Sequence, residues 1–299
     1  MSVQNDLPSD VVGLTKVAPL SRRGFMTASA ATAAGYTLAA GPVRAQVIRT
    51  DTSGLNAGDA KVNVSDGEMP VYYAKPADAQ NPPVILVAME IFGLHEYIKD
   101  VTRRLAKLGA LAVAPDYYFR KGVDLTKLTE AEIPQLMPIV NAKPDAELIA
   151  DLNTTVEWAK IQGGDSSRLG ILGFCRGGRN VWIYSANNRN VKAGVAFYGS
   201  LVDPPGQKSI WPKSATELAP EMKAPVLGLY AEADQGIPVA QVEAMKGALQ
   251  AAGKKAEFKI YPAAPHGFHA DYRPSYRKDA AEDAWSQMTA WFKANKVLS

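Results

Sequence analysis

The chain has 299 residues, of which 47% are hydrophobic and 21% are charged, and its formal net charge at pH 7 is +3. A chain of this size and composition can bury a full hydrophobic core in one large domain. Two of the three net positive charges belong to the first 45 residues, so the rest of the chain is nearly neutral. This balance does not indicate the basic surface of a nucleic-acid-binding protein.

The first 45 residues have the features of an export signal. Arg22 and Arg23 precede a run of small apolar residues, which ends before Val43-Arg44-Ala45. The run is too short and too rich in alanine for a stable membrane span, and Val-x-Ala suits signal peptidase. The paired arginines resemble a twin-arginine (Tat) signal. We expect export by the Tat machinery to the periplasm, cleavage after Ala45 and a mature domain over 46–299. An uncleaved anchor or a chance basic pair is the alternative.

After residue 60 the sequence alternates between strand and helix patterns. Residues 61–64 and 71–74 predict an antiparallel pair joined by the turn Ser65-Asp66-Gly67. Apolar runs then predict strands, and apolar residues at helical spacing predict helices. The further predicted strands are 84–88, 111–114, 169–172, 193–198, 226–230 and 256–261, and the predicted helices are 97–108, 145–161, 179–186, 238–252 and 280–296. This alternation predicts a single domain with a mostly parallel, doubly wound α/β sheet covered on both faces.

The carboxyl ends of the predicted strands indicate where a functional site lies, because ligands of doubly wound sheets bind beyond those ends. We therefore take the reactive side chains that follow the strands as candidates. They are Glu90, Arg120, Cys175, Asp234 and His266.

Residues 173–178, Gly-Phe-Cys-Arg-Gly-Gly, have the pattern of a nucleophile elbow with cysteine in place of serine. Such an elbow is a sharp turn between a strand and a helix that raises one side chain above the sheet. Cys175 is the only cysteine of the chain and so forms no internal disulfide. In an oxidising compartment an unpaired thiol indicates a function that needs it. A small buried thiol beside a glycine-rich turn is the alternative.

A cysteine used as a nucleophile needs a base or a cation beside it, because a thiol of ordinary pKa is mostly protonated at neutral pH. His266 and Asp234 are the candidates for the base and for the carboxylate that orients it. The order Cys175, Asp234, His266 is the order of an α/β-hydrolase triad. The alternatives are a helix-capping role for the aspartate and a solvated loop position for the histidine.

These motifs together resemble the dienelactone hydrolase family, over about residue 64 to the C-terminus. Residues 89–94, Met-Glu-Ile-Phe-Gly-Leu, resemble the family's first active-site loop, and residues 115–118, Pro-Asp-Tyr-Tyr, resemble its second. The resemblance implies an α/β-hydrolase fold and hydrolysis of an ester or lactone without a cofactor. It also implies that Glu90 interacts with the thiol of Cys175 and helps to convert it to the thiolate.

The backbone N–H groups of Ile91 and Arg176 are the expected oxyanion hole. Family members that act on dienelactone hold the substrate carboxylate with two arginines, and Arg120 matches the first of these. The position of the second is Ala270 here, so Arg176 and Arg273 are the alternatives for the second contact. The resemblance and these cations favour a small ester or lactone that carries an anion.

Two other functions are weighed against this one. His266, His269 and Asp271 could suggest a metal site, but His-x-x-His without a third strong ligand is a weak signal, and no metal is expected. A binding or redox-sensing protein that uses Cys175 as a switch is the alternative to an enzyme. Such a switch needs an exposed thiol of low pKa and tolerates the loss of His266.

Overall fold

The computed structural model describes residues 48–128, 132–203, 206 and 208–299. The predicted signal over residues 1–45 and its cleavage site lie outside these ranges. None of the helices within them combines the length and the apolar character that a bilayer span requires.

Within the described ranges, eight strands form one sheet in the order β1-β2-β4-β3-β5-β6-β7-β8. The pairs β1/β2 and β2/β4 are antiparallel, and all the other neighbours are parallel. The doubly wound, mostly parallel sheet predicted from the sequence is therefore confirmed. The strands are β1 Leu55–Val64, β2 Gly67–Pro76, β3 Pro83–Ala88, β4 Leu111–Pro115, β5 Asp165–Phe174, β6 Val191–Phe197, β7 Val226–Ala231 and β8 Ala256–Tyr261.

Six α-helices of the described ranges cover this sheet: α1 Glu96–Lys107, α2 Ile133–Asn141, α3 Asp145–Ile161, α4 Arg176–Asn187, α5 Val239–Ala251 and α6 Lys278–Ala294. Every residue of β3, β4 and β7 is buried. Strands buried on both faces need continuous apolar runs, which explains why these segments do not alternate between apolar and polar residues.

Three local features differ from the sequence prediction. Helix α2 was not predicted, and it contains Pro138 although a proline normally ends a helical pattern. Helix α4 begins at Arg176 rather than at 179, so the glycines of the elbow form its first turn. Strand β6 ends at Phe197, and Tyr198 lies beyond it with a φ of +38° instead of an extended conformation.

The first turn of α4 packs directly on the backbone that follows β3. A Cβ atom on Gly177 would lie 2.0 Å from the carbonyl oxygen of Ala88 and 2.7 Å from that of Met89. Only a residue without a side chain permits this approach. The contact holds the elbow and the loop after β3 at one edge of the sheet.

Substitution of Gly177 tests how much the fold depends on this contact. We expect Gly177→Ala to destabilise the protein by about 3 kcal/mol or to prevent folding, because rigid backbone must move to admit the methyl group. The matched control is Gly247→Ala in α5, where a Cβ would meet nothing within 4 Å. It should stabilise by about 0.5–1 kcal/mol. Urea unfolding measures both, and equal stabilities would contradict the prediction.

Candidate active site

Cys175 lies between β5 and α4, at the N-cap of the helix. Its N–H donates to the carbonyl oxygen of Phe197 (3.1 Å), and its own carbonyl accepts from the N–H of Gly178 (2.9 Å). Its φ of +55° is strained for a residue with a side chain and costs about 1–3 kcal/mol. The side chain is fully buried. The elbow predicted from the sequence is thus formed, and the thiol lies at the positive end of a helix, which favours a thiolate.

His266 and Asp234 lie side by side in the loops after β8 and β7. The Nδ1 of His266 donates to Oδ2 of Asp234 at 2.6 Å. The other carboxylate oxygen accepts from the backbone N–H groups of Gly236 (2.8 Å) and Ile237 (3.1 Å). Both side chains are buried. Because the carboxylate is fixed by two backbone donors, it fixes the ring in turn and leaves Nε2 for the reaction.

The pKa of His266 is shifted by its buried surroundings. Burial by itself lowers this pKa, but the carboxylate of Asp234 and the neighbouring thiol of Cys175 together outweigh burial and hold it well above 6.5. Cys175 raises this pKa both through its charge and through a side-chain hydrogen bond with the imidazole. The imidazolium form therefore persists at neutral pH, and it is the cation that a thiolate needs beside it.

Glu90 lies at the end of β3 in a buried cluster of polar groups. Its Oε2 accepts from the hydroxyl of Tyr272 (2.8 Å) and lies 3.2 Å from Nε2 of His95, and its Oε1 lies 3.6 Å from the guanidinium of Arg273. Burial raises the pKa of Glu90, but Arg273, His95 and Tyr272 outweigh it and lower this pKa to about 2. The carboxylate is therefore ionised. Its predicted action on the thiol of Cys175 stays a prediction.

The predicted oxyanion donors lie on the two segments that meet at Gly177. Ile91 follows β3, and its N–H donates to no acceptor within the described residues. Arg176 is the first residue of α4, where backbone N–H groups point out of the helix. The loop of Ile91 is held by Tyr117, whose hydroxyl donates to the carbonyl of Met89 (2.8 Å). This arrangement suits a developing oxyanion above Cys175.

Arg120 does not have the surroundings of a substrate contact. Its guanidinium donates to both carboxylate oxygens of Asp66 (2.7 and 2.8 Å) and to both of Asp151 (2.8 Å each). Glu147 lies 3.1 Å from the same group. Three carboxylates already surround this cation, so a substrate anion would have to displace one of them. The contacts of Arg120 therefore do not support the predicted binding role.

The other two predicted arginines lie in different surroundings. The guanidinium of Arg273 contacts Glu90 and lies over the ring of Phe92, 4.8 Å from its centroid. The guanidinium of Arg176 lies over the ring of Trp211 at 4.5 Å, and both residues line a small cavity. Arg179 also lines this cavity, but Asp145 and Asp203 bind its guanidinium. Of the predicted arginines, Arg176 is the one that directly follows Cys175 and lines this cavity.

His269 and Asp271 are not brought together with His266 as ligands of one ion. The Nδ1 of His269 lies 2.7 Å from the hydroxyl of Tyr97, and Asp271 accepts from the N–H of Ile48 (2.8 Å). The described part of the chain contains no group of three or more His, Cys, Asp or Glu residues placed to hold a metal ion.

Sequence reasoning missed several aromatic and imidazole groups of the site. They are His95, Tyr97, Tyr198, Trp211 and Tyr272. Tyr198 carried a usable signal, because it stands at the carboxyl end of a predicted strand. It was counted as the last residue of that strand. Trp211 and Tyr272 lie in long loops whose course the local pattern does not reveal.

An open groove of about 620 Å³ lies at the opposite edge of the sheet, at the amino ends of β5 and β6. Its lining is mostly amides, hydroxyls and charged side chains at the surface, including Asn153, Ser167 and Lys192. Doubly wound sheets bind their ligands at the carboxyl edge. We therefore assign the site to the edge that carries Cys175.

The sequence model of the dienelactone hydrolase family matches residues 69–296. The chain belongs to this family. A relative from Methylorubrum extorquens, provisionally named a carboxymethylenebutenolidase, is 50% identical over 288 residues, which are 95% of this chain and 97% of the relative. A relative from Escherichia coli K12 with the same provisional name is 45% identical over 262 residues, 87% of this chain and 94% of the relative.

A solved structure also supports membership of this family. The crystal structure of a Klebsiella pneumoniae protein, provisionally named a dienelactone hydrolase, aligns with a TM-score of 0.76 at 44% identity. The alignment covers 80% of this chain and 98% of that one. The protein is therefore an α/β-hydrolase of the dienelactone hydrolase family and a carboxylic ester hydrolase of that kind, as the sequence predicted.

The contact between His266 and Asp234 predicts how the pKa of His266 and the stability of the hydrolase depend on this carboxylate. In Asp234→Asn we expect the pKa of His266 to fall, because the variant loses the carboxylate that contributes most against burial. Wild-type stability from this pair should be fully present below pH 6.5 and should be lost as pH rises through the raised pKa of His266. NMR titration of the imidazole signals measures the pKa.

His269 is the internal control of this titration. Burial and the charge of Arg104 hold its pKa well below 6.5, so its signal should not move near neutral pH in either protein. A His266 signal that titrates at the same pH in wild type and Asp234→Asn would contradict the prediction.

Proposed function

We propose that this hydrolase cleaves an ester or lactone through the thiol of Cys175, with His266 as acid and base and Asp234 as the group that orients it. The observation that carries the proposal is the 2.6 Å contact between His266 and Asp234 beside a cysteine on a nucleophile elbow. The direction of the His266 pKa shift supports a thiolate and imidazolium pair.

The reaction then has two steps, each with a tetrahedral intermediate. The thiolate of Cys175 attacks the carbonyl carbon, a bond from Sγ to carbon forms, and the oxyanion is stabilised by the N–H groups of Ile91 and Arg176. The C–O bond to the leaving group breaks, and the leaving oxygen takes the proton from Nε2 of His266. The neutral imidazole then takes a proton from water as that water attacks the thioester, and Sγ leaves as thiolate.

A thiolate suits esters and lactones better than amides. The tetrahedral intermediate expels the better of two leaving groups, and a thiolate leaves more readily than an amide nitrogen that is not yet protonated. An ester oxygen departs easily enough for the intermediate to go forward. We therefore propose that amides of the same acyl group are poor substrates.

Substitutions of the three proposed catalytic residues test this function. We expect Cys175→Ala to abolish ester hydrolysis and His266→Ala to reduce kcat/KM by roughly 10²–10⁴-fold. Asp234→Asn should lose a similar or smaller factor, and the double variant of the last two should be little worse than the worse single variant, since the residues act as a unit. Circular dichroism controls for folding. A folded Cys175→Ala protein with parental activity would refute the proposal.

We propose further that the substrate carries an anion and that the side chain of Arg176 binds it. The support is the position of this guanidinium, which follows the nucleophile directly and lines the cavity beside Trp211. Arginine suits carboxylates because its planar donors match their two oxygens. A substitution of the Arg176 side chain therefore leaves its backbone N–H, the proposed oxyanion donor, in place.

Kinetics of matched substrates measure this contact. Arg176→Met should lower kcat/KM for an anionic lactone by roughly 10–100-fold and should change kcat/KM for a neutral lactone of the same size far less. Arg120→Met serves as the matched control: it should reduce stability, because Asp66 and Asp151 lose their partner, and should keep the preference for the anion. A loss of preference in Arg120→Met alone would assign the anion to Arg120 instead.

We also propose export to the periplasm by the Tat machinery, on the support of Arg22-Arg23 and Val43-Arg44-Ala45 in the sequence. Replacement of both arginines by lysine should retain the protein in the cytoplasm. Mass measurement of the exported protein should give Gln46 as its first residue. Unchanged delivery of the lysine variant would indicate another route.

The redox-switch alternative has less support than hydrolysis. A redox switch needs only the thiol of Cys175 and tolerates the loss of His266. The hydrogen-bonded His266 and Asp234 beside it are required for hydrolysis and not for a switch.

A further inference from the structure

One buried hydroxyl of the site has no role in the reaction described so far. The side chain of Tyr198 is fully buried, and its hydroxyl oxygen makes no hydrogen bond of ordinary geometry within the described residues. Removing a hydroxyl from water without a partner costs stability. The hydroxyl of Tyr97 interacts with that of Tyr198, but without ordinary hydrogen-bond geometry, so the Tyr198 hydroxyl is left able to bind a partner that arrives with the substrate.

The backbone at Tyr198 supports the same conclusion. Its φ of +38° lies in a region that residues with side chains rarely adopt. Its N–H donates to the carbonyl of Leu229 (2.8 Å), so the strained conformation is held by the neighbouring strand β7. Strain that is retained at the carboxyl edge of the sheet and fixed by hydrogen bonding is characteristic of functional positions.

The ring of Tyr198 lies against the reacting groups. Its centroid is 5.0 Å from that of the His266 ring, at an interplanar angle of 60°. Tyr198 directly follows Phe197, which pairs with Phe174 in the sheet and accepts the N–H of Cys175. The side chain therefore stands next to both the nucleophile and the acid.

The charges around Tyr198 keep its proton in place. Burial raises the pKa of Tyr198 well above 10, and the negative charges of Glu90 and Cys175 act in the same direction. Arg273 and the Tyr97 hydroxyl oppose this shift without reversing it. The hydroxyl is therefore a hydrogen-bond donor throughout the working pH range and not a base.

We propose that Tyr198 is a further catalytic residue of the hydrolase, whose hydroxyl donates a hydrogen bond to the leaving oxygen of the ester or lactone while His266 protonates that oxygen. The inference rests on the proposed function, because it assigns a role within the same site. The backbone N–H groups of Ile91 and Arg176 serve the carbonyl oxygen. The hydroxyl of Tyr198, whose ring packs against His266, donates instead to the leaving oxygen of the ester or lactone.

In this step the C–O bond breaks and its electron pair goes to the leaving oxygen. The proton that ends on this oxygen comes from Nε2 of His266, and Tyr198 keeps its own proton. The hydroxyl lowers the barrier because the negative charge on the leaving oxygen is larger in the transition state than in the bound ester. Its contribution therefore grows with the basicity of the leaving group.

A leaving-group series with Tyr198→Phe tests the proposal. The substrates are esters of one acyl group with p-nitrophenol, phenol and an aliphatic alcohol. We expect the variant to lose roughly 10–100-fold in kcat/KM with the aliphatic ester, which corresponds to one hydrogen bond to a charged oxygen. It should lose little with the p-nitrophenyl ester, whose leaving group needs almost no stabilisation. An equal loss, or no loss, for all three esters would overturn the proposal.

Two further measurements separate catalysis from structure. Tyr198→Phe should change the melting temperature little, because the contact of its hydroxyl with that of Tyr97 lacks ordinary hydrogen-bond geometry. The matched control is Tyr230→Phe, where the deleted hydroxyl accepts from Nε1 of Trp182 (3.0 Å) and donates to the carbonyl of Gly199 (3.1 Å), so its melting temperature should fall. The alkylation rate of Cys175 by iodoacetamide should be the same in wild type and Tyr198→Phe.

A clear fall in the melting temperature of Tyr198→Phe would assign Tyr198 a structural role and refute the catalytic one. A fall in its alkylation rate by the same factor as its kcat/KM would have the same meaning. Wild-type protein that hydrolyses none of the three esters would refute the proposed function, and the role of Tyr198 with it. Wild-type turnover with a flat leaving-group response refutes Tyr198 alone, so the two failures are distinguishable.

Discussion

The arrangement of the site depends on the close contact between the first turn of α4 and the backbone after β3. A Cβ on Gly177 would lie 2.0 Å from the carbonyl oxygen of Ala88, so the helix can start here only with glycine at this position. The helix start forces the preceding residue, Cys175, into its strained turn at φ +55°. The same contact brings the N–H groups of Ile91 and Arg176 to one edge of the sheet. The proposed nucleophile and the proposed oxyanion donors are therefore positioned by a single packing constraint.

Two buried pairs of opposite charge lie near the carboxyl edge of the sheet, and in both the partner offsets the cost of burial. Asp234 raises the pKa of His266 on the side of β7 and β8, while Arg273 helps to lower that of Glu90 on the side of β3. Burial alone opposes both ionised states, so each charge persists only through its partners. Removal of one partner leaves a buried charge that water cannot reach. The site is sensitive to single substitutions for this reason.

The sequence was sufficient for the sheet and for the residues at its carboxyl edge. Continuous apolar runs identify buried parallel strands, and the side chains that follow these strands must lie at one edge of the sheet. This rule is sufficient to predict that Cys175, Asp234 and His266 lie at the same edge. Helix α2 was not predicted, although Ile133, Leu136, Met137 and Val140 have helical spacing and are buried. Tyr198 was missed because a strand pattern does not reveal where the φ changes sign.

The role of an arginine is hard to predict from its position in the sequence. It depends on which carboxylates from distant parts of the chain contact its guanidinium. Arg120 lies where the resemblance predicts a substrate contact, yet Asp66 comes from the turn between β1 and β2, and Asp151 from α3. Neither partner is visible in the local pattern around residue 120. With three carboxylates around Arg120, our proposal places recognition of an anion at Arg176, whose guanidinium lies over Trp211. Trp211 belongs to the long connection between β6 and β7, so under this proposal substrate choice depends on that connection and the chemistry on the sheet edge.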